Sequence, residues 1–393
     1  MYKDHKMAGL TIDNPVTLSQ VCENVERNII AGDILYLADG VYSGDYVLPN
    51  SITGIFGNPV IIKPRNPGKV VIDGSLKIDG EYVEVYDINF TDSRIDRHLS
   101  SQGVYCAQLG FGLFGCIVAN QHNSGLSWYG SGIGNVCENL FLLNGLRYED
   151  NSGHGHSIYT HNNGGGLRTI ARNAFYDNLG NYTIQIYSGG ANYLKDYNVQ
   201  NNTIFGDPVT TGGGLGLIGF LYENNIQFQD YCQQGRYSGD HVNQNGIIRN
   251  NTFIDLFNYS VNANCTYDWE NLTEENNIVY GGEPADRIGY AVTAKPDTRT
   301  WFTPFTKSAR WVGMITVYNY IEAETVAIDL TGLIEAGSYV LRNTQNPSET
   351  WAFENVTRSI NIPTFGWTAQ AFIGDHENTC TFPTFGCFVV EKA

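Results

Sequence analysis

Between about residue 70 and residue 280 the chain keeps returning to one phrase. A short β-rich run leads to an asparagine, then one residue of any kind, then an apolar residue. The copies are Asn139-x-Phe141, Asn173-x-Phe175, Asn202-x-Ile204, Asn224-x-Ile226, Asn251-x-Phe253 and Asn276-x-Ile278, spaced 22 to 34 residues apart. Three short strands and three turns consume about that length, so each copy reads as one rung of a stacked solenoid. Helical periodicity is almost absent after residue 30. Asparagine suits such a rung, because it tolerates the left-handed backbone of a sharp bend and its amides can bond from rung to rung. Of 40 asparagines, 28 fall between residues 89 and 277. The pattern predicts an all-β chain whose body, residues 33–285, is a right-handed parallel β-helix of about nine or ten rungs.

A solenoid needs covered ends. Residues 1–32 read as an N-terminal segment and helical cap. Leu18, Val21, Val25 and Ile29 share one helical face, Thr17 and Gln20 make a capping box, and Gly32 ends the run. After about residue 285 asparagine and glycine thin out and alternating runs take over: MITVYNY, TVAIDLTG, GSYVLRNT, RSINIP and FGCFVVEKA. Residues 286–393 therefore read as a C-terminal β-sandwich, expected to act as a stabilising cap rather than an independent carbohydrate-binding module.

The opening stretches GDILYLADGVYSGDYVL, PVIIKPRNPGKVVIDG and LKIDGEYVEVYDINF resemble the first rungs of pectate-lyase-like β-helix proteins, of the chondroitinase B and alginate lyase type. As architecture the resemblance covers about residues 30–280. It implies the fold more strongly than the reaction, because lyases, hydrolases, epimerases and phage tailspikes share the phrase. The lysine and arginine motifs of chondroitinase-type catalysis are not evident here, so none of that family's catalytic residues is carried over.

The net charge of −17 and the absence of a basic cluster make nucleic acid a poor partner. No apolar run approaches a membrane span, and MYKDHKMAGLTIDNP lacks the apolar core of a signal peptide. A secreted or virus-encoded protein is expected, with its oligomeric state open. The charge also disfavours a polyanionic glycan unless local arginines or a bound cation intervene. There is no CxxC among the eight cysteines; Cys106, Cys116 and Cys137 read as buried thiols, and Cys380 and Cys387 as a pair that could be bridged.

Aligning rungs by their asparagines brings together GLSWYGSG, GHSIYTHN and YTIQIYSGG. Period-two alternation turns Trp128, Ile158 and Ile186 inward and Tyr129, Tyr159, His161, Gln185 and Tyr187 outward. Tyr129, Tyr159 and Tyr187 then form an outer ladder, suited to packing on sugar C–H faces while polar neighbours bind hydroxyls. Insertions at 92–103, 145–156, 207–214 and 230–245 are expected to build one wall beside it. The densest segment, EDNSGHGHSIYTH, offers Asp150, His154, His156, Tyr159 and His161 as acid–base groups. Arg94, Asp96 and Arg97 from the first insertion are substrate-binding candidates.

No zinc spacing is present, no metal ligands are assigned, and Ca²⁺ on aspartates is the one cofactor the residues leave open. Asp177, Asp207, Asp230 and Asp255 read as turn formers. Polysaccharide cleavage is the expected activity. A lyase would use histidine and tyrosine as proton acceptor and donor, with Arg94 or Arg97 neutralising a uronate. A hydrolase would pair Asp150 with Asp96 or Asp240 on a neutral glycan. An adhesin or tailspike-like module would keep the ladder without the chemistry.

Overall fold

The computed structural model describes residues 10–12, 22, 29–94, 102–145, 155–180, 182–189, 193–206, 208–213, 215–229, 232–235, 242–255, 269–281, 290–356, 358–371 and 380–393. Every strand pairing up to Thr293 is parallel. The strands stack into three faces, and eight turns carry a strand on all three, slightly fewer than the nine or ten rungs expected.

The first face runs from Leu10–Ile12, beside Ile34–Leu37, to Asn243–Arg249 and the short strands Trp269–Glu270 and Thr273–Glu275. The second is built of three-residue strands such as Leu140–Leu142, Ala174–Tyr176 and Thr203–Phe205. The third holds Gln102–Cys106, Ser124–Trp128, His156–Thr160, Tyr182–Ile186 and Val209–Thr211. In the first two turns single strands, Gly40–Leu48 and Val70–Ile78, serve both the second and third faces. They bend at Gly44 and Gly74, where φ is +131° and +144° and a Cβ on Gly74 would strike the Gly44 carbonyl.

The lumen is filled by columns in register. One runs Leu35, Ile62, Val85, Leu113, Val136, Ile170, Val199, Tyr222 and Ile248. At the corner between the first and second faces stands a buried asparagine ladder: Asn139, Asn173, Asn202, Asn225, Asn251 and Asn277. In each step the Oδ1 of one asparagine accepts from both the backbone N–H and the Nδ2 of the asparagine one turn earlier. Two copies of the sequence phrase thus shift by one residue. Asn225 and Asn277 occupy the ladder, while Asn224 and Asn276 precede it in left-handed conformation at φ 55°. Of the expected turn aspartates, Asp177 and Asp255 are left-handed; Asp207 and Asp230 lie outside the described residues.

The N-terminal helical cap is not supported. Of residues 17–31 the described part is Cys22 and 29–31, with no helix of the expected extent among them. Cys22 and Ile29 do pack against the core; Leu18, Val21 and Val25 lie outside the described residues.

The C-terminal strands are antiparallel. Five form one sheet, in the order Thr298–Pro304, Trp311–Asn319, Phe385–Lys392, Gly337–Asn343 and Thr350–Val356, and Thr325–Asp329 pairs with Ser359–Pro363 in a second. Ile315, Val326, Ile328, Leu341, Ile362 and Phe388 share the core between them. The other side of the larger sheet packs on the outside of the solenoid's second face: Trp311, Met314, Tyr318, Phe385 and Val389 meet Leu140, Leu142, Tyr176, Phe205 and Phe228. Glu138 fixes the junction, accepting from the backbone N–H groups of Thr306, Lys307 and Ser308 and from Arg172. Cys380 and Cys387 are free thiols, so the open question of their bridging resolves against a disulfide.

Candidate functional site

The third face presents its outward residues in two columns. The strand register places Lys77, Tyr105, Ser127, Tyr159, Gln185 and Thr210 in one. Two residues on from Ser127, Tyr159 and Gln185, Tyr129, His161 and Tyr187 form the other, each N–H donating to a carbonyl of the turn before. The inward assignment of Trp128, Ile158 and Ile186 holds, all three being fully buried, and Tyr129, Tyr159 and Tyr187 are half-buried.

The ladder differs from the expected one in register. Trp128 pairs with Thr160, not Ile158, so Tyr129 stands beside His161 and Tyr159 beside Ser127. A slip of two residues keeps each side chain on its face, which is why the exposure pattern survives. The tyrosines therefore alternate between columns. Tyr105, Tyr129 and Tyr159 follow one another at 5.5 Å between ring centroids, and His161 lies 4.9 Å from Tyr129.

Burial pushes the Tyr159 hydroxyl up to about 12, helped by Tyr129 and Tyr187, and raises Tyr129 as well. Burial lowers His161 from its ordinary 6.5, and the nearby Arg168 charge acts in the same direction. At neutral pH the cluster therefore combines a neutral imidazole with protonated phenols.

His156 is almost fully buried. Its ring stacks with Tyr159 at 5.3 Å and with Tyr182 at 5.9 Å, and its Nδ1 lies 3.3 Å from the Tyr182 carbonyl. It backs Tyr159 rather than lining the open face. Gln185 is half-buried in Tyr159's column, one turn on. Arg94 is held at the other end of the face, bridging Asp92 and Asp45 with contacts of 2.8–3.1 Å. Two carboxylates already neutralise its charge, which leaves it poorly placed to bind a uronate. Asp96, Arg97, Asp150, His154 and Asp240 lie outside the described residues.

Two of the four expected insertions carry third-face strands of their own, Val209–Thr211 within 207–214 and Cys232–Gln233 within 230–245. Residues 92–103 and 145–156 both precede third-face strands, at one corner. Among the described residues no group of three or more His, Cys, Asp or Glu could hold a metal ion.

Sequence reasoning missed Arg168, the only charged side chain among the largest fully buried ones of the described residues. It enters the lumen from the first face, in register with Gly134 and Tyr197. Its guanidinium reaches the carbonyls of Trp128, Tyr129, Gly130 and His161 at 2.7–3.1 Å and the Thr160 hydroxyl at 2.7 Å, and it stacks 4.3 Å from the Trp128 ring. A Cβ on Gly134 would overlap Trp128, so the glycine vacates the space in which Trp128 lies. The signal was present: Arg168 stands five residues before the ladder asparagine Asn173, as Gly134 and Tyr197 stand before theirs.

Residues 14–101 match the family model for chondroitinase B. No curated protein sequence matches the chain. Among solved structures, the alginate lyase AlyGC of the PL6 family is similar at 12% identity and a TM-score of 0.33, over 76% of this chain and 54% of that one. The chain thus spans about half the length of that lyase. A mannuronic-acid-specific polysaccharide family 6 lyase from human gut microbiota is similar at 15% identity and a TM-score of 0.34, over 74% and 92%. The tailspike gp49 of Acinetobacter baumannii bacteriophage Fri1, a capsular polysaccharide depolymerase, is similar at 9% identity and a TM-score of 0.39, over 98% and 83%. None of these values assigns an activity. The described residues up to Thr293 form a parallel β-helix, and its opening turns match the family model for chondroitinase B.

Proposed function

We propose that the chain is an enzyme that binds a polysaccharide along the third face and cleaves it, acting as a lyase by β-elimination on a uronate-containing glycan. The observation that carries this reading is the Tyr129–Tyr159–His161 cluster, in which a neutral imidazole and protonated phenols share one exposed face. The match of the opening turns to chondroitinase B supports it.

In this reading His161 takes the proton on the carbon beside the uronate carboxyl. The electron pair released forms the ring double bond as the bond to the leaving oxygen breaks, and Tyr159 gives its hydroxyl proton to that oxygen. Tyr129 supplies a platform for a sugar ring, Tyr187 extends it, and Gln185 bonds hydroxyls. His156 holds Tyr159 from behind. Asp150 and His154 are proposed to reach the same turn from the loop before His156, and Asp96 and Arg97 to serve the carboxyl in place of the already paired Arg94.

The net charge of −17 favours a second reading, hydrolysis of a neutral glycan by Asp150 with Asp96 or Asp240. A purely binding, tailspike-like role would use the ladder alone. Incubation with a panel of acidic and neutral polysaccharides separates the three. Ultraviolet absorbance of an unsaturated uronate marks the lyase. New reducing ends without that absorbance mark the hydrolase. Retention on an immobilised glycan without either marks a binding module and overturns the enzymatic reading.

A further inference from the structure

A buried arginine with no carboxylate among its hydrogen-bond partners needs a reason, because an uncompensated charge in the lumen costs several kcal/mol. Arg168 is such a residue. Its partners are backbone carbonyls and the hydroxyls of Thr160 and of Tyr197, its first-face neighbour; apart from Tyr197, all of them lie on two consecutive turns, on the third face or just after it: Trp128, Tyr129, Gly130 and Gly132 on one, Thr160 and His161 on the next. These are the turns that carry Tyr129 and His161 outward. The interior end of each is thus tied to the same rigid, planar fork.

We propose that Arg168 is a positioning residue of the acid–base cluster, fixing from inside the solenoid the separation and orientation of the turns that present Tyr129 and His161. The proposal rests on the reading of that cluster given above. Its charge has a second effect. Among the described residues the groups facing His161 are Tyr129 from the turn before, Tyr159 on its own turn, Tyr187 from the turn after, and Arg168 from the first face, with Tyr197 and Cys106 beside Arg168. Arg168 is the only full charge among them. It opposes a second positive charge on His161, so the device that orients the imidazole also keeps it able to accept a proton.

The test uses the intact chain and histidine Cε1 proton NMR, with the His161 signal assigned by His161→Asn. Arg168→Gln, which removes the charge, is expected to raise the His161 midpoint by about half a pH unit or more, and Arg168→Lys, which keeps it, to leave the midpoint close to wild type. Lysine cannot reproduce the fork, so R168K should also speed amide hydrogen exchange at residues 129–132 and 161–162. On any polysaccharide the wild type cuts, R168K should lower kcat at least about tenfold with little change in KM.

A folded R168Q chain with an unshifted His161 midpoint overturns the electrostatic role. An R168K chain with wild-type exchange at both turns overturns the positioning role, and that arm stands even if R168Q does not fold. If the wild type cuts nothing in the panel, the enzymatic reading fails by itself, and the NMR and exchange measurements still decide on Arg168.

Discussion

The ring of His161 lies 4.9 Å from that of Tyr129, inclined at 47°, one turn apart in the same outward column of the third face. The two side chains respond oppositely to the same partial burial. Burial lowers the histidine because it penalises the imidazolium, and raises the tyrosine because it penalises the phenolate. Both groups are therefore neutral over a wide pH range. Turnover should rise with pH through a midpoint below 6.5, as His161 loses its proton, and then stay flat well into the alkaline range, because the Tyr159 hydroxyl is pushed up to about 12. A pH–rate profile with its rising limb above neutrality would remove His161 as the base.

His161→Asn and Tyr159→Phe should each lower turnover at least about a hundredfold with native circular dichroism, the scale of a lost proton-transfer group. His156→Gln should act differently. Its ring packs against Tyr159 and Tyr182 away from solvent, so its loss should lower thermal stability along with rate. Near-wild-type turnover in both H161N and Y159F, on a glycan the chain demonstrably cuts, would move the chemistry elsewhere on the solenoid.

Much of this was legible in the chain because a solenoid repeats its constraints. The asparagine before each second-face strand meets the same corner in every turn, so one phrase marked six ladder positions to within a residue. What a single phrase cannot give is the register on the face beyond a variable loop. Thirteen residues, 143–155, separate the second-face strand Leu140–Leu142 of one turn from His156, and the spacing gave Tyr159 a position two residues from its true one.

Arg168 was not legible because it stands in a lumenal column, where a side chain is ordinarily aliphatic packing rather than chemistry. The docking of the C-terminal sheet also left a trace that went unread. Second-face strands such as Leu140–Leu142, Ala174–Tyr176 and Thr203–Phe205 are buried at every position rather than alternating, the mark of a sheet covered on both sides.

Asn202→Ala should be far more damaging than its size suggests. Asn202 accepts from the backbone N–H and Nδ2 of Asn173 and donates to the Ile170 carbonyl and to Asn225. Alanine strands those groups in the interior, at about 3 kcal/mol or more. Asn198→Ala, on the partly exposed side of the same turn, should stay within about 0.5 kcal/mol. Equal shifts in denaturation midpoint for the two would mean that the ladder contributes nothing beyond turn propensity.

Glu138→Ala should loosen the C-terminal sheet from the solenoid while leaving the lumen intact. The carboxylate is fully buried and collects three consecutive N–H groups of residues 306–308, and without it those donors face a gap. Hydrogen exchange should accelerate at 305–310 and in Trp311–Asn319, with little change in Val136 or Ile170. Uniform acceleration across both regions would show that the two fold as one unit without a separable joint.

Glu391 offers a check on the C-terminal sheet that reads out in pH. Its carboxylate accepts from Arg342 and Arg310 and from the Trp311 indole. Burial by itself would raise its pKa, but the bonds and charge of Arg342, with Arg310 behind them, outweigh burial and hold it at about 2, against 4.5 unperturbed. A folded-state value below the unfolded one means that the ionised form stabilises the fold. That contribution is complete above about pH 4.5 and drains away as the pH falls toward 2. Glu391→Gln lacks it at every pH. The difference in melting temperature between wild type and E391Q should therefore be largest near neutrality and shrink steadily below pH 4.5. Other carboxylates titrate in the same window but are common to both chains, so they cancel in the difference. Arg310 also bonds Asn89 on the solenoid, so E391Q should speed exchange at 308–311 as well. A pH-independent gap between the two proteins would mean that Glu391 acts through its shape and neutral hydrogen bonds, and that its pairing with Arg342 adds no net stability.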